Sequence, residues 1–419
     1  MSRTSYADAL QPSRPAGADG PRRAVESTRY LERIDGILPL LKANTLKAAD
    51  LRRVPDESIR AMEEAGVFRA VRPRQWGGLE VDPSTWEEGL VRLATACPAS
   101  GWVGALLGGH AWYLGLFSQQ AQEDVWSEDP ATRAASSFAP TGNVERVGDG
   151  FRLTGRWKFL SGVDHAQWIL LGGILPDEGD GPEFRVFLVP ASDYEIDQDS
   201  WRVTGLQGSG SKEVTVDAVV PEYRTLTVDV LYHHTEPGKA VNTGPIFDLP
   251  WLTMWAFNIA SCAIGAAAGA LDAFIDDNRR RVSAMSGAPA VQNAALHTRL
   301  AEAVTLVRDA RARIPRTWDP IYAKVVAGEP VSAETRVESR FEASHAIAQC
   351  LGAVNKVFEI SGGAVMGSDK LFQHYLRDLM GMRNQPIAIY ENQAGLYATT
   401  LFGAPLELPF TKAHIGCIL

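Results

Sequence analysis

In this 419-residue sequence the side chains most able to do chemistry gather in three strings: SSFAPTG (Ser136 to Gly142), GRWKFLSGVDHAQW (Gly155 to Trp168) and GLQGSGS (Gly205 to Ser211). Ser161 offers a hydroxyl that hydrogen-bonds without carrying charge, although a Ser-Gly pair is also an ordinary turn. His110, within Gly-His-Ala-Trp at 109–112, is an imidazole able to accept or donate near neutral pH. Alone on a small-residue helix it reads as packed core. Asp164 and His165 read as chain-turning, backbone-bonding residues, and Trp157, Phe159 and Phe138 as core aromatics on strands.

Several chemistries are excluded by what is missing. No G-x-G-x-x-G joins a strand to a helix, so a nicotinamide-binding Rossmann unit is not expected. No phosphate-binding GxxxxGK[ST] loop and no GxSxG nucleophile elbow occurs. His233-His234 is the one adjacent histidine pair and has no carboxylates at ligand spacing, so no metal site is expected.

The elements that must position these residues follow from periodicity. Leu31, Ile34, Leu38 and Leu41 form one helical face; Pro55 and Gly66 bracket a second helix; Gly77-Gly78 breaks the chain before further helices from Trp86 to about Gln120. From about Ala131 the period is two, with Phe151, Leu153, Trp157 and Phe159 alternating with polar residues between Gly-rich turns. Parallel βαβ units are not expected. The helical period returns at Trp251–Arg281, Leu296–Gly328, Ser332–Ser361 and Leu371 to about Thr400. The expected organisation is a flexible tail (1–25), an α-helical domain (26–130), a small antiparallel β-sandwich or barrel (131–230), a C-terminal four-helix bundle (231–401) and a short tail (402–419).

Composition agrees with an ordinary globular chain: 45% apolar and 22% charged, with 41 Lys plus Arg against 50 Asp plus Glu and no long basic run. Neither a nucleic-acid partner nor a membrane span is expected. The start lacks an apolar run, and the four cysteines (97, 262, 350, 417) form no CxxC pair, so a cytoplasmic protein with free thiols is expected.

With the α/β/α order, the three strings, Trp-Gly-Gly at 76–78, Gly-His-x-Trp at 109–112 and Phe-Gly at 402–403, the chain resembles the acyl-CoA dehydrogenase fold from about residue 28 to about 405. It is most similar there to the two-component (group D) flavin-dependent monooxygenases, the branch that includes the oxygenases acting on a secosteroid phenol and on 4-hydroxyphenylacetate. The resemblance implies an oxygenase that uses FADH2 (or FMNH2) and O2, forms a C4a-hydroperoxyflavin and hydroxylates a bulky aromatic or polycyclic substrate. A separate NAD(P)H-dependent flavin reductase and a homotetramer are also implied. Ser161 would face flavin N5, holding the proton whose loss releases hydrogen peroxide. Phe138 and Phe159 would flank the isoalloxazine, and Arg281 (or Arg280), Gly362 and Gly363 would approach the cofactor's phosphate portion. His110, Trp112, Ser136 and Gln385 would line the substrate side.

Two departures from the family pattern bear on the chemistry. Seven residues after Asp378 of the Arg377-Asp378 pair, where phenol hydroxylases carry histidine, stands Gln385, which can orient a substrate but cannot deprotonate it. Either His110 serves as base or the substrate is already nucleophilic, which keeps N- or S-oxygenation of an amine or thioether open. Glu391 lies thirteen residues after Asp378 instead of the eight of acyl-CoA dehydrogenases, so that activity is the weaker alternative, beside a flavin-binding scaffold without turnover.

Overall fold

A computed structural model describes residues 21–175, 182–282, 287–404 and 406; Cys417 lies outside them. The first layer is helical: α1 (Pro21–Ala43), α2 (Thr45–Leu51), α3 (Asp56–Ala65), α4 (Pro83–Ala96), α5 (Pro98–Leu114) and α6 (Gln119–Trp126). Gly66 ends α3 in the left-handed conformation at φ +87°, its N–H bonding back to the last turn. The Asp82 side chain accepts the Thr85 N–H and starts α4, with Pro83 preset for the first helical position. Helix α5 is buried on every side except at Leu106. Its small residues permit this: a Cβ on Gly101 would sit 2.5 Å from Ala94 Cβ, and one on Gly108 2.6 Å from the Trp86 ring.

Strands then form two four-stranded sheets. Strands β1 (Ala134–Ser137), β4 (Trp168–Leu175), β5 (Glu183–Pro190) and β8 (Thr225–Thr227) make one, in the order β1-β4-β5-β8. Strands β2 (Asn143–Val147), β3 (Gly150–Leu160), β7 (Lys212–Pro221) and β6 (Tyr194–Asp197) make the other, in the order β2-β3-β7-β6. Five pairings are antiparallel, but β1 runs parallel to β4. The expectation of antiparallel pairing throughout fails there because the chain crosses from β1 to the other sheet, makes the β2–β3 hairpin, and returns to β4 in the original direction.

The remaining helices are α7 (Val228–His233), α8 (Trp251–Asn278), α9 (Ala294–Val326), α10 (Ala333–Phe358), α11 (Leu371–Arg383) and α12 (Tyr390–Leu401). Helix α8 is long and apolar enough to cross a membrane, yet 94% of its most apolar eighteen residues are buried inside the protein. It packs on α4, α5, α10 and α11. Gly265 and Gly269 allow the approach, since Cβ atoms there would lie 2.3 Å from Val91 O and 2.2 Å from the Tyr375 ring. The helix expected over 371–400 is two helices. Pro386 biases Gln385 away from helical backbone, and the Gln385 side chain accepts the Ile387 N–H at 2.6 Å, so a separate 3₁₀ turn forms.

Helix α11 is joined to the β domain by a buried carboxylate. Asp378 Oδ1 accepts the Leu206 N–H at 2.6 Å, and Gly205 presses so close that a Cβ would lie 2.0 Å from Arg377 O. Burial raises the Asp378 carboxyl to about 7, against the backbone bond and Arg377, which lower it. A raised acid favours the native state fully below the unfolded value near pH 4, and that contribution is lost as pH climbs through about 7. Asp378→Asn keeps an acceptor for Leu206 without the charge. Its thermal unfolding temperature is expected to exceed the parent's at pH 8, the gap narrowing as pH falls toward 4.

Candidate active site

Helix α5 is the datum of the site. Trp102 and His110 stand eight residues apart on it, about 12 Å along the axis, and each fixes a hydroxyl on the β domain. Trp102 Nε1–H donates to Ser161 Oγ at 2.9 Å, just past the end of β3. His110 lies 2.7 Å through Nδ1 from Ala134 O and 2.8 Å through Nε2 from Ser136 Oγ.

The carbonyl assigns the tautomer. Ala134 O can only accept, so Nδ1 carries the proton, Nε2 is a lone pair, and the Ser136 hydroxyl donates to it. His110 is 2% exposed, and burial lowers its pKa to about 4, the bond to Ala134 opposing the shift. The neutral ring therefore persists across the physiological range. Ser136, half-buried, keeps lone pairs with which to accept a hydrogen bond from a ligand hydroxyl.

Beside this pair lies a cleft walled by Tyr113, Phe138, Phe184, Trp251, Trp255 and Gln385 among others. Its walls are almost wholly apolar and aromatic, the kind of lining that takes a flat aromatic ligand. Phe138 and Trp255 meet edge to face at 4.3 Å, and the His110 ring lies 6.5 Å and 5.9 Å from them. Gln385 reaches the cavity because the break before α12 puts it there. Its carboxamide oxygen accepts the Ile387 N–H, and its Nε2 is a donor suited to a carbonyl or ether oxygen.

Residues expected to meet a flavin form two groups. Around Ser161, 5% exposed, Phe159 sits at an irregularity in the β3–β7 pairing with φ +67° and 67% of its surface exposed, its ring edge-on to Trp201 at 6.1 Å. An aromatic held in the left-handed region and uncovered is a costly arrangement. In the second group, Arg281 Nη1 donates to Ser361 O, and Gly362 (φ +69°) leaves room for the guanidinium, since a Cβ there would lie 2.9 Å from Nη2. Nothing lies within 4 Å of the corresponding position on Gly363. An uncovered aromatic face beside a polar hydroxyl, and a cation above open glycines, fit the planar ring and phosphate portions of a flavin.

Other expected residues are placed elsewhere. Trp112, expected to line the substrate side, turns away and donates Nε1–H to Ile246 O at 2.7 Å, outside the cavity lining. Tyr113, three residues after His110 and on its helical face, is the residue that lines the cavity instead. Arg280 is exposed, and only Arg281 reaches the Ser361–Gly362 turn. Asp164 pairs with Lys212 through both oxygens at 2.7 Å, tying the turn after β3 to the start of β7, and His165 donates Nε2–H to Val54 O at 2.9 Å. Glu391 is on the exposed side of α12, paired with Arg383 at 2.9 Å. Among the described residues no cluster of His, Cys, Asp and Glu is arranged to hold a metal. Trp251 and Trp255 belong to no motif in the sequence, and their four-residue spacing at the start of an apolar helix is the one sign of their shared face.

Known proteins resemble this chain over nearly its whole length. The family model for the acyl-CoA dehydrogenase C-terminal domain matches residues 257–383. The chain is 37% identical over 378 residues to the flavin-dependent monooxygenase oxygenase subunit HsaA of Rhodococcus jostii, covering 90% of this chain and 99% of that protein. It is 36% identical over 333 residues to the oxygenase component of the FADH2-dependent resorcinol hydroxylase of a Rhizobium species, covering 78% and 80%. The crystal structure of the 3-HSA hydroxylase from Rhodococcus sp. RHA1 superposes with a TM-score of 0.86 at 37% identity, over 90% of this chain and 97% of that one.

The His110 arrangement has a direct spectroscopic signature. Nitrogen-15 NMR is expected to show one protonated and one unprotonated ring nitrogen from pH 8 down to about 5, with Nδ1 protonated. A ring that titrates near 6.5 would contradict it.

Proposed function

The chain belongs to the oxygenase components of two-component flavin-dependent monooxygenases, built on the acyl-CoA dehydrogenase fold, and on that premise we propose that it hydroxylates a ring carbon of an aromatic or polycyclic substrate that carries a hydroxyl group. Bound reduced flavin, supplied by a separate reductase, provides the activation of O2, one oxygen atom going to the substrate and the other leaving as water. The chain's own residues bind and orient the ring and manage its proton.

The observation that carries this reading is the Ser136–His110–Ala134 hydrogen-bond series at the edge of an aromatic cavity. A substrate hydroxyl donates to Ser136 Oγ. As the ring carbon becomes nucleophilic, its hydroxyl proton passes to Ser136 while the Ser136 proton passes to His110 Nε2, and Ala134 O steadies the charge through Nδ1–H. On this reading His110, and not a residue at 385, is the proton acceptor. Oxygenation at nitrogen or sulfur gains nothing from such a series. The aromatic walls exclude water and hold the ring flat, and Gln385 Nε2 donates to an oxygen at the far end of the substrate.

The finer assignments belong to the same reading. Ser161 and Phe159 meet the isoalloxazine, and Arg281 with Gly362 and Gly363 meets the phosphates. The cofactor is FADH2 and not FMNH2, in keeping with the FADH2-dependent relative. Exposed Leu401, Phe402 and Met366 supply apolar surface for a homotetramer, and buried free thiols at Cys97, Cys262 and Cys350 suit the cytoplasm.

Rapid mixing of the protein, preloaded anaerobically with FADH2, into oxygenated buffer is expected to give a near-ultraviolet-absorbing flavin transient that persists for seconds and decays faster when a hydroxylated aromatic is present. Immediate reoxidation with stoichiometric hydrogen peroxide, whatever aromatic is added, would overturn the assignment. Ser136→Ala is expected to form the same transient but to transfer oxygen to a phenolic substrate about 10²-fold more slowly. In the parent, the acid limb of the transfer rate is expected near pH 4, where His110 becomes charged.

A further inference from the structure

Beneath Ser161 runs a series of hydroxyls that oxygen transfer does not use. Ser161 Oγ lies 2.7 Å from Ser211 Oγ, Ser211 Oγ 2.7 Å from Ser209 Oγ, and Ser209 Oγ donates to Leu206 O at 2.7 Å. All three serines are buried. Each hydroxyl owns a single proton, and a carbonyl only accepts. Ser209 therefore gives its proton to Leu206, the Ser209–Ser211 bond takes the proton of Ser211, and the Ser211–Ser161 bond takes that of Ser161. Trp102 donates into the same Ser161 oxygen. Ser161 is left with one lone pair and no proton to give.

The far end of the series is fixed. Leu206 stands at φ +54°, a strained backbone for leucine, with its N–H held by Asp378. Its carbonyl also receives the Trp201 indole N–H at 3.2 Å. The direction of the hydroxyl series is thus set from outside the flavin region.

Resting on the reading that Ser161 meets flavin N5, we infer that Ser209 and Ser211 are positioning residues that make Ser161 an obligate acceptor and so select reduced over oxidised flavin. Reduced flavin carries a proton on N5 and donates it; oxidised flavin presents a bare lone pair. An acceptor-only Ser161 bonds the first and opposes the second. To serve oxidised N5 the series must reverse, each serine donating toward Ser161, and the Ser209–Leu206 bond is given up. One hydrogen bond sets the selectivity at about tenfold. An oxygenase that receives reduced flavin from a separate protein, and must release the oxidised form, is helped at both ends of its cycle.

The test is equilibrium binding of the full-length protein to oxidised FAD in air and to FADH2 under anaerobiosis. The parent is expected to bind FADH2 more tightly. In Ser211→Ala, Ser161 loses its acceptor and turns its proton outward, so the ratio of oxidised to reduced Kd is expected to fall about tenfold, and the bound-flavin potential by about 30 mV for the two-electron couple. Ser209→Ala is expected to move both in the same direction, providing a second variant if Ser211→Ala fails to fold. Ser211→Thr, which keeps the hydroxyl, is expected to restore the parent ratio. A parental ratio in Ser211→Ala and Ser209→Ala, with FADH2 binding weakened in Ser161→Ala, would overturn the inference alone. Unchanged affinities for both forms in Ser161→Ala would instead overturn the contact of Ser161 with N5.

Discussion

A single fully packed helix sets the geometry of the site. Helix α5 is held by close backbone approaches that glycine alone permits, against Ala94 at Gly101, Trp86 at Gly108 and Asn258 at Gly109. With its axis pinned by α4 and α8, Trp102 and His110 become fixed points. The β domain is then registered to them by two hydroxyls, Ser161 and Ser136, each anchored by a nitrogen of the helix. Interiors packed at crystal density transmit such registration with little slack.

The polar groups in this region work through the direction of hydrogen bonds more than through charge. Desolvation keeps His110 neutral, and serines carry no charge at any relevant pH. In a dry site an uncompensated charge is costly, whereas a neutral donor or acceptor with a fixed direction still distinguishes ligands, because an unpaired buried polar group carries the full desolvation penalty. The carbonyls of Ala134 and Leu206 end the two series and give each its direction.

Much of the scaffold was legible from local chemistry. Alternation of Phe151, Leu153 and Trp157 reads as β3, and Gly66 after Ala65 reads as a helix stop. The break between α11 and α12 is masked because a helical hydrophobic period continues through it, and Pro386 is the local sign. The parallel pairing of β1 with β4 was illegible because it depends on a crossover between sheets, which no window of sequence contains. At the site, Ser136 bonds His110, Phe138 and Gln385 line the adjoining cleft, and Tyr113 stands in the lining where Trp112 was expected. Motif position names a neighbourhood; helix rotation decides which neighbour faces inward. Trp102, Ser209 and Ser211 lay in plain view, but their importance arises from long-range contacts.

Gln385 serves two masters, and this limits how the enzyme can change. The same residue lines the cavity and caps the start of the 3₁₀ turn through its bond to Ile387. A replacement that lacks a side-chain acceptor forfeits that bond, at a cost of about 1 kcal/mol by analogy with helix caps. The residues tolerated at 385 are therefore filtered for folding before they are tested on substrates. Selection for a new ligand at this wall is channelled toward short polar side chains, or must first find stability elsewhere. The adjoining aromatic walls carry no such obligation, so the cavity is freer to change its shape than its polarity.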